Sequence, residues 1–207
     1  ELRDMEFVQF HPTGMVWPPS VRGILVTEGV RGEGGRLFNS EQDRFMFNYV
    51  PEMFQGDHAE TIEESDQWVE EVVSGKLATV RRPPELLTRD VVAKAINSEV
   101  KAGRGSPHGG AFLDISHRGE AAILAKLPSM HHQFKELAGV DISKEPMEVG
   151  PTAHYVMGGV IVDPETQETT VSGLYACGET ASGLHGANRL GGNSLSDLIV
   201  FGKRAGE

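Results

Sequence analysis

Cysteine, tryptophan, long apolar runs and positive charge are all in short supply. The one cysteine, Cys177, excludes an internal disulfide and fits a reducing compartment. No apolar run approaches the roughly 20 residues that a membrane-spanning helix needs, and none has the pattern of a signal peptide. No CxxC, HExxH or similar cluster is present. His131 and His132 are adjacent in a helical pattern, so they point about 100° apart and read as surface residues. His108 and His117 lie in loops without metal-ligand spacing, so no metal is expected. With 19 Lys and Arg against 30 Asp and Glu, the net charge is −11. That argues against nucleic acid and against an anionic membrane surface as direct partners. An anionic small molecule stays possible, because local charge can oppose the global sign. There is no collagen period and no low-complexity tract, so the 25 glycines serve turns and close backbone approach.

What is present suits one large domain or two small ones in 207 residues. The chain opens Glu1-Leu-Arg-Asp without a methionine and stops inside a helical pattern, so it reads as a fragment of a longer polypeptide. Residues 5–10 are β-prone and are expected to stop at Pro12 and Gly14, leaving His11 at a strand end beside a turn. Residues 24–28 form a second expected strand, which runs into the glycine-rich turn 29–35. Residues 57–74 look helical, with Ile62, Val69, Val72 and Val73 as the apolar stripe. The double proline after Arg81-Arg82 marks a linker. Thr88 is a plausible N-cap for a helix whose apolar face is Val91, Val92, Ala95, Ile96 and Val100. Residues 111–115 predict a short strand. Two helices follow, and Gly139 ends the second. Residues 160–162 and 171–177 read as strands joined by a polar hairpin, and Gly191-Gly192 opens a helix that runs past Phe201. Composition therefore predicts a strand segment at 1–14, an insert at 15–147 lying over a sheet as a lid, and a β–turn–helix segment at 148–207.

Several polar residues admit two readings. His11 suits a local turn hydrogen bond or a ligand site. Glu28 and Arg31 straddle the glycine turn as a surface ion pair or as working groups. Arg89 sits in the first turn of its helix, where a cation faces the positive end of the helix dipole. It is either paired with a nearby carboxylate such as Asp90 or placed for chemistry. Arg189 is the strong cation of the last glycine turn. Together with His154, His11 and Thr27 it could bind a dicarboxylate, the guanidinium taking one carboxylate bidentately. Arg89, Glu28 and Arg31 would then supply a proton path. The helix start at Ser194 offers backbone N–H groups to an anion. It is neither GxGxxG nor a P-loop. A flavin ring, which carries negative charge when reduced, is a natural match, and Glu179 suits a ribose or ribityl hydroxyl.

The runs Gln9-Phe-His-Pro-Thr-Gly14, Val26-Thr-Glu-Gly-Val-Arg-Gly-Glu-Gly-Gly35, Thr88-Arg-Asp-Val-Val92, Ala153-His-Tyr-Val-Met-Gly-Gly159 and His185-Gly-Ala-Asn-Arg-Leu-Gly-Gly-Asn-Ser-Leu195 closely resemble the flavoprotein subunit of succinate dehydrogenase and fumarate reductase. The resemblance covers essentially the whole chain in order and spacing. It implies an α+β fold in which α/β-type pieces of a FAD-binding domain flank an inserted α+β capping domain. It implies FAD as cofactor and interconversion of succinate and fumarate. A hydride would pass between a dicarboxylate carbon and flavin N5, and Arg89 would exchange a proton with the neighbouring carbon. By the same resemblance Glu28 and Arg31 are the relay, and His11, Thr27, His154 and Arg189 bind the dicarboxylate. Glu179, Ser194 and Leu195 contact FAD. The resemblance further implies an iron–sulfur subunit, membrane anchor subunits and a cytoplasmic place on the inner face of the cell membrane through those partners, with no direct insertion. The family's N-terminal dinucleotide-binding segment and its C-terminal helical region have no counterpart here, so the fragment is expected to hold FAD poorly and to be inactive alone. L-aspartate oxidase and a non-catalytic capping module are the competing readings.

Overall fold

The computed structural model describes residues 1–207. The backbone gathers into two compact units. One is His11–Thr152, and the other joins Glu1–Phe10 to Ala153–Glu207. In chain order the strands are β1 (Leu2–Arg3), β2 (Val8–Met15), β3 (Arg36–Phe38), β4 (Ala111–Asp114), β5 (Met147–Val156) and β6 (Gly159–Val160). The helices are α1 (Glu28–Gly32), α2 (Ile62–Val73), α3 (Arg89–Lys101), α4 (Glu120–Lys126), α5 (Pro128–Ala138) and α6 (Asn193–Gly206). The mixture of helices and two sheets makes the fold α+β, as expected.

The larger unit is built on a sheet of order β2-β5-β4-β3. β3 and β4 pair antiparallel with Leu37 opposite Leu113, and β4 and β5 pair antiparallel with Leu113 opposite Met147. Strand alternation turns Ala111 and Leu113 to one face, where both are fully buried. Val92, Ala95 and Ile96 of α3, Ile123 of α4 and Phe134 of α5 complete the same core. α2 starts cleanly because Thr61 Oγ1 accepts the Glu64 N–H at 3.2 Å and Glu64 reaches back to the Glu60 N–H at 3.1 Å. Gly103 and Gly139, with φ of 78° and 67°, end α3 and α5 in the left-handed region.

Several expectations are corrected. Pro12 and Gly14 do not stop the first strand, which continues to Met15. β2 is an edge of its sheet, where a proline costs no ladder bond. The Val26 N–H bonds Thr13 O and the Met15 N–H bonds Ile24 O, which holds the extension. Residues 24–28 form no strand beyond one bridge at Leu25, and Glu28 instead begins a short helix. Burial of Val30 and Arg31 favours the helical turn there. The apolar stripe of α2 is narrower than its pattern. Ser65 and Val69 are the buried residues, while Ile62 and Val72 are exposed, because the inner face is shared with a guanidinium on Ser65. His131 is not a surface residue. It lies one turn from Phe134 on the core face of α5, with Nε2 3.2 Å from Asp141. His132 is exposed.

The smaller unit pairs β1 with β6 antiparallel and ends in α6. The expected strands at 160–162 and 171–177 do not pair as a hairpin: only Gly159–Val160 is a strand, Val162 bridges Thr169 across the polar turn, and Tyr175 bridges Glu168 across a second one. Asp163 accepts the N–H groups of Glu165 and Thr166 at 2.9 Å and shapes that turn with its own side chain. No helix of the chain is long and apolar enough to cross a membrane.

Candidate active site

Arg89, Glu28, Arg31, Thr27 and His11 belong to the larger unit. Arg89 is the first residue of α3, behind Thr88, whose side chain makes no cap bond. Its carboxylate partner is Glu28 rather than Asp90. Arg89 Nη2 and Nε lie 3.2 and 3.3 Å from Glu28 Oε2, whereas Asp90 faces Lys94 at 3.6 Å. Glu28 is the first residue of α1, where its charge suits the helix dipole, and Thr27 is the N-cap. Three residues on, Arg31 is not a surface group. It is 1% exposed, donates from Nη1 to the main-chain oxygen of Glu85 at 2.5 Å, and has Nε and Nη2 buried without a hydrogen bond. Burial pushes its guanidinium down to about 10. Glu28 counters that shift, Arg89 adds to it, and Glu85 counters it.

His11 is buried on β2. The Thr13 N–H points at its Nδ1 from 3.3 Å, which places the ring proton on Nε2. Thr13 Oγ1 in turn donates to Val26 O at 2.9 Å, so the strand beside His11 is tied to the residue before Thr27.

His154, Arg189, Glu179, Ser194 and Leu195 belong to the smaller unit. Arg189 is buried. Its Nη2 donates to Gln9 Oε1 at 3.0 Å, its Nη1 to Leu190 O at 3.1 Å, and its guanidinium lies 4.5 Å from the Tyr155 ring centroid. Gln9 answers with its amide on Arg189 O at 2.6 Å and Asn188 Oδ1 at 2.7 Å. Behind Tyr155, the Asp197 carboxylate lies 3.4 Å from its hydroxyl and 3.3 Å from His185 Nε2. Burial first, and Asp197 next, push the Tyr155 phenol up to about 12. His154 is half-buried on β5, next to Tyr155. Gln9, Tyr155 and Asp197 were not singled out from the sequence. Gln9 stands in a quoted motif, but only the fold brings it to a residue 180 positions away.

The sequence profile of the FAD binding domain family matches residues 1–195. One subunit of the CoM/CoB fumarate reductase of Methanothermobacter marburgensis is 50% identical over 206 residues, which is 100% of this chain and 32% of that protein. The succinate dehydrogenase flavoprotein subunit of Rickettsia bellii is 39% identical over 99% of this chain and 30% of that protein. A quinol-fumarate reductase solved with menaquinol molecules superposes with a TM-score of 0.79 at 44% identity, over 99% of this chain and 32% of that one. The chain belongs to the FAD-binding fumarate reductase/succinate dehydrogenase flavoprotein family. It spans about a third of the length of these relatives.

FAD is the cofactor of this flavoprotein family, and the smaller unit has donors that fit it. Gly192, with φ of 82°, opens the 14-residue α6 without any side-chain cap; the Asn193 and Leu195 N–H groups turn back to Leu190 O and Gly192 O at 3.3 Å, which leaves the Ser194 N–H at the positive end of a long helix. Such a helix start suits a ring edge rich in acceptors that gains charge on reduction. Glu179 Oε1 accepts the Val156 N–H at 2.9 Å and remains exposed. Leu195 is 67% exposed beside that helix start, an apolar surface suited to a ring face.

Proposed function

We propose that the flavoprotein containing this chain interconverts succinate and fumarate. The larger unit would act as the capping domain and the smaller unit as part of the FAD-binding domain. The observation that carries this reading is the Glu28–Arg89 pair at 3.2 Å beside the buried Arg31. A cation ion-paired to a half-exposed carboxylate, backed by a second guanidinium, suits a group that passes a proton on and is recharged from solvent. FAD, when bound, supplies the hydride chemistry. In the reducing direction Arg89 delivers the proton to the adjacent carbon of fumarate and recovers it from Glu28. In the oxidising direction the proton runs the other way. Arg189, fixed by Gln9 and Tyr155, binds one carboxylate. His11 donates from Nε2, and Thr27 and His154 complete the binding set. Glu179, Ser194 and Leu195 hold FAD. Arginine is ordinarily always protonated, so the base role requires its neutral form to be reached transiently.

The family membership supports further assignments. In the intact enzyme an iron–sulfur subunit takes electrons from FAD and membrane anchor subunits hold the assembly at the inner face of the cell membrane.

Replacing Arg89 with Gln in the full-length flavoprotein tests the central assignment. Turnover with succinate or fumarate is expected to fall by about 10²–10⁴-fold, with dicarboxylate binding retained. Undiminished turnover overturns the proton-transfer role.

A further inference from the structure

The orientation of Arg31 rests on one hydrogen bond, from Nη1 to the main-chain oxygen of Glu85. Glu85 lies in the short 3-10 turn Pro84–Leu86, four residues before Arg89 and so just ahead of α3. Its own side chain is 0% exposed. Its carboxylate is gripped by Arg44, with Nε on Oε1 at 2.6 Å and Nη2 on Oε2 at 3.1 Å, and the Leu37 N–H approaches Oε1 at 3.5 Å. Arg44 is itself pinned, with Nη1 on Asp66 Oδ1 at 3.0 Å and Nη2 on Ser65 Oγ at 2.6 Å. We propose that Arg44 and Glu85 form a buried positioning pair that sets the turn from which both relay arginines, Arg31 and Arg89, take their places. The proposal rests on the succinate–fumarate reading above.

The pair's location supports a positioning role over a stabilising one. A fully buried bidentate pair gains little net stability over apolar residues of the same volume, because desolvation offsets the attraction. It does fix geometry, since a bidentate fork holds the carboxylate in direction as well as distance. The carbonyl it fixes is the only hydrogen-bond acceptor of Arg31, and α1, which carries Arg31 and Glu28, packs against the same turn. A shift of that turn would move Arg31 directly. It would also move Arg89, and with it the Glu28 contact, through the three residues that separate Glu85 from α3. The charges that act on Arg31 are those of Glu28, Arg89 and Glu85, so the pair contributes one of the two carboxylates that keep Arg31 cationic.

The test uses the full-length, FAD-loaded flavoprotein with three variants: Glu85→Gln, the apolar double variant R44M/E85L, and R89Q as reference. Expected for both pair variants are a fall in kcat of tenfold or more, a larger solvent deuterium isotope effect on kcat, and a dicarboxylate Kd within about threefold of wild type by titration of the oxidised flavin spectrum. FAD content and melting temperature are read on the same samples. A folded double variant with wild-type kcat overturns the proposal. So does a loss of kcat that only follows loss of FAD or of dicarboxylate affinity, and so does a double variant that fails to fold, since the pair is then a structural strut. If R89Q turns over normally, the proton-transfer reading itself falls. If R89Q is inactive while the pair variants are normal, only the positioning pair falls.

Discussion

The two compact units differ in how they treat apolar surface. Every residue of the hydrophobic core cluster lies between Met15 and Val149, within the larger unit. In the smaller unit the large apolar side chains of α6 and the turn before it are open, with Ile199 at 74% and Leu190 at 71% exposure. The larger unit therefore carries its own driving force for folding. The smaller unit displays an apolar helix face that nothing in these 207 residues covers. Its order is instead carried by polar contacts at short range, such as Gln9 on Arg189 and Asp197 between Tyr155 and His185.

Substitutions can break that contrast. The largest effect is expected from Phe134→Ala, which empties a fully buried site and should cost about 3–5 kcal/mol by chemical denaturation of the larger unit's transition. A cost under about 1 kcal/mol would mean that its core is not the source of stability. Glu99→Gln comes next. Glu99 is buried and accepts from Arg104, Tyr49 and Asn39, and the Arg104 bonds first of all hold its carboxyl at about 2. A carboxyl depressed on folding stabilises above its ordinary pKa of 4.5, and that contribution is lost as pH falls toward about 2. Melting temperatures between pH 6 and pH 3 should therefore fall more steeply in the wild type than in Glu99→Gln, and parallel curves would sink the assignment. The smallest effect is expected from Ile199→Ser, under about 0.5 kcal/mol in this chain. A loss of 2 kcal/mol or more would show that the face of α6 is covered after all.

The same contrast explains what was legible in the sequence. Glycine stops and the strand around residue 112 follow from local rules, and the structure holds them; a helix also starts after Thr88, though without the expected side-chain cap bond. The residue runs that carry the candidate site were readable as motifs. The misreadings lie where tertiary contacts override local preference. Pro12 sits in a strand because that strand is an edge, Glu28 begins a helix because Val30 and Arg31 are buried, and His131 turns inward toward Asp141. Arg44 and Glu85, 41 residues apart, carry no local signal, since a buried ion pair looks like any two charges until the chain folds.

Arg89 opens a 13-residue helix at the end where a carboxylate would be preferred. A neutral helix former such as Gln in its place would relieve on the order of 0.3–1 kcal/mol of dipole cost, against the loss of an ion pair with Glu28 worth about 0–1 kcal/mol. On the reading proposed above, that same replacement abolishes turnover. Selection for heat resistance alone should therefore be nearly indifferent to this arginine, and selection for growth that depends on the enzyme should hold it in place, so the first turn of α3 answers to chemistry and not to stability.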